Sequence, residues 1–136
     1  MGEKVTGQCL CGAVKYEAEI PKNPIYAGLC HCKDCQRYTG TAFASSLMVS
    51  KTDVKLTGLL KFYGKDTDSG GFMERGFCPE CGSNMLCQSR DWENQYVLSA
   101  GTLDDPSVYE PKMNIFTRSA HTHALDAGKL PKLSLI

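Results

Sequence analysis

Cys78-Pro79-Glu80-Cys81-Gly82, read together with Cys9-Leu10-Cys11 near the start of the chain, decides how this sequence folds. Two cysteines separated by two residues and followed by a glycine that tolerates positive φ make the tight turn that wraps a metal ion. Cys9 and Cys11, two apart in an extended backbone, present their sulfurs to the same side. Two such pairs supply the four thiolates of a closed tetrahedral site, so Cys9, Cys11, Cys78 and Cys81 are expected to hold a structural zinc ion. Four thiolates also suit iron, and zinc is preferred because nothing else in the sequence points to electron transfer. An ion held this way ties the first strand to the middle of the chain, and its binding energy becomes folding energy.

Around these turns the sequence reads as short β-branched and aromatic segments divided by Gly, Pro, Asn and Asp, without a long amphipathic helix. The expected strands are Ala13 to Ile20, Ile25 to Cys30, Ala42 to Val49, Val54 to Thr57, Leu60 to Tyr63, Phe72 to Phe77, Asn84 to Gln88, Tyr96 to Ala100 and Met113 to Thr117. Several alternate apolar with polar residues, as half-buried antiparallel strands do, so the fold class is all-β, built of small antiparallel sheets. One helical turn is expected after Cys32, over Asp34 to Tyr38. The tail from Ala127 to Ile136 either lies along the surface or closes a sheet edge. A chain of 136 residues fits a single domain spanning 1–136.

The third cluster, Cys30-His31-Cys32-Lys33-Asp34-Cys35, offers three thiolates where a closed site wants four. Three protein ligands and one open position are the usual arrangement of catalytic zinc. A thiol entering that position would be deprotonated near neutral pH and would become a nucleophile towards a small aldehyde. Cys30, Cys32 and Cys35 are therefore expected to hold a second zinc ion, and to serve as ligands, not as nucleophiles. Three thiolates on an open ion are exposed to oxidation, so this second ion is expected to be partly occupied or absent at times.

Other residues bear on that cluster. Cys87 either completes it as a fourth ligand or packs as a buried small hydrophobe in Asn84-Met85-Leu86-Cys87-Gln88. His31 points away from its cysteine neighbours in an extended stretch and reads as a packing or supporting residue. His121 and His123 form a same-side pair that either joins a metal site or lies exposed. Of the basic residues Arg37, Lys112 and Arg118, Arg37 lies nearest the open cluster and is the candidate contact for a substrate carboxylate.

Eight cysteines in a chain without an apolar N-terminal segment point to a reducing, cytoplasmic setting in which thiols serve metals. A disulfide scaffold is the rival, and the short spacings suit one ion better than two bridges. No stretch approaches the ~18 apolar residues of a membrane helix. Lys+Arg 15 against Asp+Glu 15 gives a formal charge of zero, which argues against nucleic acid as a partner. Nothing indicates an oligomeric state.

The cysteines and their flanks resemble the glutathione-dependent formaldehyde-activating enzyme family, which includes centromere protein V. The matching segments are Gly7-Gln8-Cys9-Leu10-Cys11-Gly12-Ala13-Val14-Lys15-Tyr16, Cys30-His31-Cys32-Lys33-Asp34-Cys35-Gln36-Arg37 with Gly40, Phe77-Cys78-Pro79-Glu80-Cys81-Gly82-Ser83, and Gly101-Thr102-Leu103-Asp104-Asp105-Pro106. The resemblance implies a β-tent fold of antiparallel sheets, a structural zinc at Cys9, Cys11, Cys78 and Cys81, and a second zinc at Cys30, Cys32 and Cys35. It implies the addition of the glutathione thiol to formaldehyde, giving S-hydroxymethylglutathione, a carbon–sulfur lyase step in reverse. Where family members often carry a His before the Ile-Phe pair and a Trp further on, this chain has Asn114 before Ile115-Phe116 and then His121 or His123, which leaves room for a different thiol or aldehyde. The resemblance to centromere protein V keeps a second class open, a protein-binding module in which both ions only hold shape.

Overall fold

The computed structural model describes residues 2–134. In chain order the strands are β1 (Gly2–Gln8), β2 (Lys15–Pro21), β3 (Ala27–Cys30), β4 (Ala44–Ser50), β5 (Val54–Thr57), β6 (Lys61–Asp66), β7 (Phe72–Phe77), β8 (Asn84–Ser89), β9 (Gln95–Ser99) and β10 (Met113–Ile115). Two helices accompany them, α1 (Lys33–Thr39) and the four-residue α2 (Thr122–Leu125). The strands form a three-stranded sheet in the order β1-β2-β5 and a seven-stranded sheet in the order β10-β3-β4-β9-β8-β7-β6. This is the all-β, β-tent arrangement of small sheets that the sequence led us to expect.

β2 shows why these segments become strands. Tyr16, Ala18 and Ile20 are buried while Lys15 and Glu17 face solvent, the two-residue alternation of a sheet with one covered face. From the larger sheet, Leu47 and Val49 of β4, Met85 and Leu86 of β8 and Leu98 of β9 meet that face and complete one core. The sheets are also stitched by backbone: Gly7 bridges Leu103, and the Asp104 amide donates to the Thr6 carbonyl at 3.0 Å.

The structure corrects the expected strands at several points and settles which of the two expected courses the tail takes. β1 was not among the expected strands, because Gly2-Glu3-Lys4-Val5-Thr6-Gly7-Gln8 carries one large apolar residue; its seven-residue antiparallel register with β2 supplies the order that its composition does not. β10 runs parallel to β3, the one parallel pair among the described residues in otherwise antiparallel sheets. It also stops at Ile115, short of Thr117, because Phe116 turns the chain at φ 56°. The residues from Leu60 form a strand that starts one residue later and runs on to Asp66. The tail beyond Asp126 makes one 3-10 turn at Ala127–Lys129 and stays exposed through Ser134, without closing a sheet edge; Leu135 and Ile136 lie outside the described residues. Among the described residues no helix is long and apolar enough to cross a membrane.

Candidate metal centres

The sulfurs of Cys9, Cys11, Cys78 and Cys81 all lie within 4.8 Å of one another. The Cys9–Cys11 and Cys11–Cys78 sulfurs are 3.7 and 3.8 Å apart. Thiolates about 2.3 Å from one zinc ion stand ~3.8 Å apart at the corners of a tetrahedron, so the spacing fits that ion and is too long for disulfides. All eight cysteines are free.

Two turns from different sheets build this cluster. Cys9 and Cys11 do not sit in extended backbone, as expected from their spacing, but in a tight turn between β1 and β2. There the Gly12 amide bonds to the Cys9 carbonyl at 3.2 Å and Gly12 takes φ 81°. The sulfurs converge because the chain coils round them, not because alternate strand residues share a side. Cys78 and Cys81 occupy the β7–β8 turn, where the Gly82 amide reaches the Cys78 carbonyl at 2.8 Å with φ 77°. A backbone hydrogen bond from Leu10 to the Ser83 hydroxyl, 2.9 Å, joins the two turns.

Donors to sulfur prepare the set for thiolates. The Val14 amide donates to Cys9 Sγ at 3.2 Å. The hydroxyl and amide of Ser83 hold the Cys81 thiol down at about 5. Cys78 is fully buried and Cys11 exposed, so the cluster sits where the core meets the surface.

The second group joins the sulfurs of Cys30, Cys32 and Cys35, again within 4.8 Å of one another. Cys30 ends β3 and is buried. Cys32 caps α1, its Sγ accepting from the Cys35 amide at 3.2 Å, and Cys35 lies in the first turn of that helix. A helix start favours negative charge at the capping sulfur. Left to themselves the three sulfurs share one charge. Hydrogen bonds from Cys30 and Cys35 hold the Cys32 thiol far below its ordinary value, while Cys32 pushes Cys30 up and Cys30 pushes Cys35 up. A divalent cation is what permits all three to ionise, and in this sense the residues fit a metal.

Neither Cys87 nor an imidazole joins this group among the described residues. Cys87 is half-buried on β8, opposite Arg75 of β7, and burial pushes its thiol up to about 11. His31 is fully buried, stacked on Phe43 with ring centroids 5.3 Å apart, and its Nε2 lies 2.9 Å from Asn114 Oδ1. His121 is exposed, with Nε2 2.9 Å from Gln36 Oε1, and its ring meets that of His123 edge-on at 5.3 Å. Arg37 lies exposed on α1, Arg118 is exposed, and Lys112 pairs with Glu110 at 2.7 Å.

Sequence reasoning passed over two residues beside the second cluster. Gln36, buried on α1, donates to the carbonyls of His31 at 2.7 Å and Ser119 at 2.9 Å, and so fastens the segment after β10 to the cysteine loop. Arg75 is buried on β7. The run Phe72 to Phe77 gave no signal for it, because Phe72 and Met73 put apolar side chains on opposite sides of the strand and alternation alone does not choose the inward face.

Comparison with known proteins agrees with this picture. A Rhodobacter sphaeroides protein of known crystal structure superposes with a TM-score of 0.58 and 27% sequence identity, over 73% of this chain and 87% of that one. An uncharacterized lyase of Schizosaccharomyces pombe is 28% identical over 94 residues. The match takes in 69% of this chain and spans 64% of the length of that relative. The family model for the glutathione-dependent formaldehyde-activating enzyme matches residues 4–119, a span that holds both sulfur clusters, and the chain belongs to that family.

Proposed function

We propose that this protein is a zinc-dependent carbon–sulfur lyase acting on the adduct of a small thiol and a small aldehyde, and that in the synthetic direction it joins glutathione to formaldehyde. Family membership supports the reaction class. The observation that carries the reading is the inequality of the two sulfur groups, four in one and three in the other. In this reading Cys9, Cys11, Cys78 and Cys81 hold a structural ion, while Cys30, Cys32 and Cys35 hold a second, more loosely bound one. The whole chain acts as one domain in the reducing cytoplasm.

Held by Cys30, Cys32 and Cys35, a zinc ion would supply the positive charge that lowers the pKa of a thiol drawn to the group. The protein's own part is placement. β3 fixes Cys30, the first turn of α1 fixes Cys32 and Cys35, and His31 with Phe43 packs behind the loop. Cys32 and Cys35 are only half-buried, so a small thiol reaches their side of the group. Arg37, exposed on α1, is the side chain we assign to a carboxylate of the thiol substrate. In the reaction the carbon–sulfur bond forms as the carbonyl π bond opens, and the proton lost from sulfur ends on the new hydroxyl oxygen. No oxidant or leaving group is involved.

A second reading, a protein-binding module, draws on the placement of a groove of about 630 Å³. It lies against β1, β2 and β5, lined by residues such as Lys4, Glu17, Val54 and Asp104, and includes no cysteine. We favour the enzyme because chemistry needs the sulfurs and a groove without them offers none. Exchange NMR of glutathione with formaldehyde separates the two. The expected result is faster exchange with native protein and loss of that acceleration in Cys32→Ser. Equal rates in both would leave the binding module.

A further inference from the structure

Arg75 is the only buried Lys or Arg among the described residues, 7% exposed. A buried guanidinium costs several kcal/mol unless it is paired, and the pairing here is thin. Its Nε has no hydrogen-bond partner. Its terminal nitrogen is 4.0 Å from Asp34 Oδ2, and that carboxylate is held more closely by Lys65, at 3.0 Å from both oxygens. The guanidinium carbon lies 5.9 Å from the centre of the Tyr38 ring.

Those neighbours locate the charge. Asp34 and Tyr38 stand four apart on α1, on one helix face, and Cys35 lies three before Tyr38 on the same side. The Tyr38 hydroxyl donates to the carbonyl of Gly76, the residue after Arg75, at 2.7 Å. Across β8, Arg75 is in register with Cys87. The cation therefore sits beside Asp34 and Tyr38 of α1, the short helix that Cys32 caps and that carries Cys35 in its first turn.

Charge counting gives it a task. Three thiolates and one divalent ion leave a net charge of minus one, and an incoming thiolate makes it minus two. A half-buried site carries such an excess poorly without a nearby positive charge. Resting on the function proposed above, we propose that Arg75 is the counter-charge of the second centre, a positioning residue that does not ligate the ion but raises the affinity of the site for an anionic sulfur ligand.

The test uses the full-length protein loaded with cobalt(II), whose thiolate charge-transfer absorption reports each added sulfur ligand. Native protein, Arg75→Lys, Arg75→Met and Arg75→Gln are titrated with glutathione and with 2-mercaptoethanol, which has no carboxylate. The expected result is two ions bound in every variant, with affinity for both thiols weakened on the order of ten-fold in the neutral variants, and recovery in Arg75→Lys. Unchanged thiol affinity in the neutral variants overturns the inference, as does weakening confined to glutathione, which would make Arg75 a carboxylate contact. Failure of both neutral variants to fold overturns it in favour of a structural role. A native protein that responds to neither thiol overturns this inference and the reading of the second cluster together; a native response that the variants leave unaltered overturns the inference alone.

Discussion

Gly82 takes φ 77°, and a Cβ added there would meet no heavy atom within 4 Å, so substitution at this residue isolates backbone strain from crowding. Gly82→Ala is expected to cost about 1–2 kcal/mol, the left-handed penalty of an L-residue. By thermal unfolding that is a fall in Tm of ~3–8 °C, with two metal ions still bound. A native Tm would mean that the turn relaxes freely. Cys87 offers the complementary prediction. It stands outside the three-sulfur group, so Cys87→Ser should leave metal content at two ions per chain by elemental analysis, with exchange activity intact. Loss of one ion would make it a ligand. Legibility at this scale followed locality. Cysteine spacing exposed both clusters because each turn is built from neighbours in sequence. The convergence of Cys9 and Cys11 was read correctly for the wrong reason, since a turn and a strand both bring such a pair together. Arg75 was missed because its importance depends on what α1 lays over it, and the sequence of β7 alone does not say.

Among the elements, α1 joins the second cluster to the rest of the molecule. Asn84 donates to the Tyr38 carbonyl at 2.9 Å, the Tyr38 hydroxyl reaches Gly76, and Lys65 reaches Asp34, so one short helix is tied to β6, β7 and β8. On its other side Gln36 holds the segment after β10. Gln36→Leu removes two donors from buried or part-buried carbonyls, a change costing about 1–3 kcal/mol. Amide hydrogen exchange of residues 113–123 should then rise while exchange in β2 and β8 stays native. Uniform protection throughout would show that the segment holds its place without Gln36. Strands whose own residues alternate, such as β2, or whose bounds fall between turn residues, such as β5 and β7, were readable in the sequence. β1 was not, because a polar strand takes its order from its partner. The parallel pairing of β10 was equally hidden, since it depends on a long connection and not on local pattern.

At the scale of the molecule, the four-sulfur group fastens the β1–β2 turn of one sheet to the β7–β8 turn of the other. Core side chains of both sheets meet, and the turns that carry these cysteines are joined beside the sulfurs by the hydrogen bond from Leu10 to Ser83. Chelation is therefore expected to proceed in two stages. The first ion lost, from the three-sulfur group, leaves the thermal transition cooperative. Loss of the second lowers Tm sharply or abolishes the transition, because structural zinc is worth on the order of 10 kcal/mol of folding free energy. Calorimetry with graded chelator would show this, and a single step with both ions leaving together would contradict it.

The inequality of the two centres is best tested by zinc X-ray absorption on the two-ion protein, with and without glutathione. The expected result is about 3.5 sulfurs per ion in the free protein, the mean of four and three, rising to about four when the thiol is added. Four sulfurs per ion before any thiol is present, unchanged afterwards, would mean that both sites are closed, and the proposed chemistry would have no place to occur.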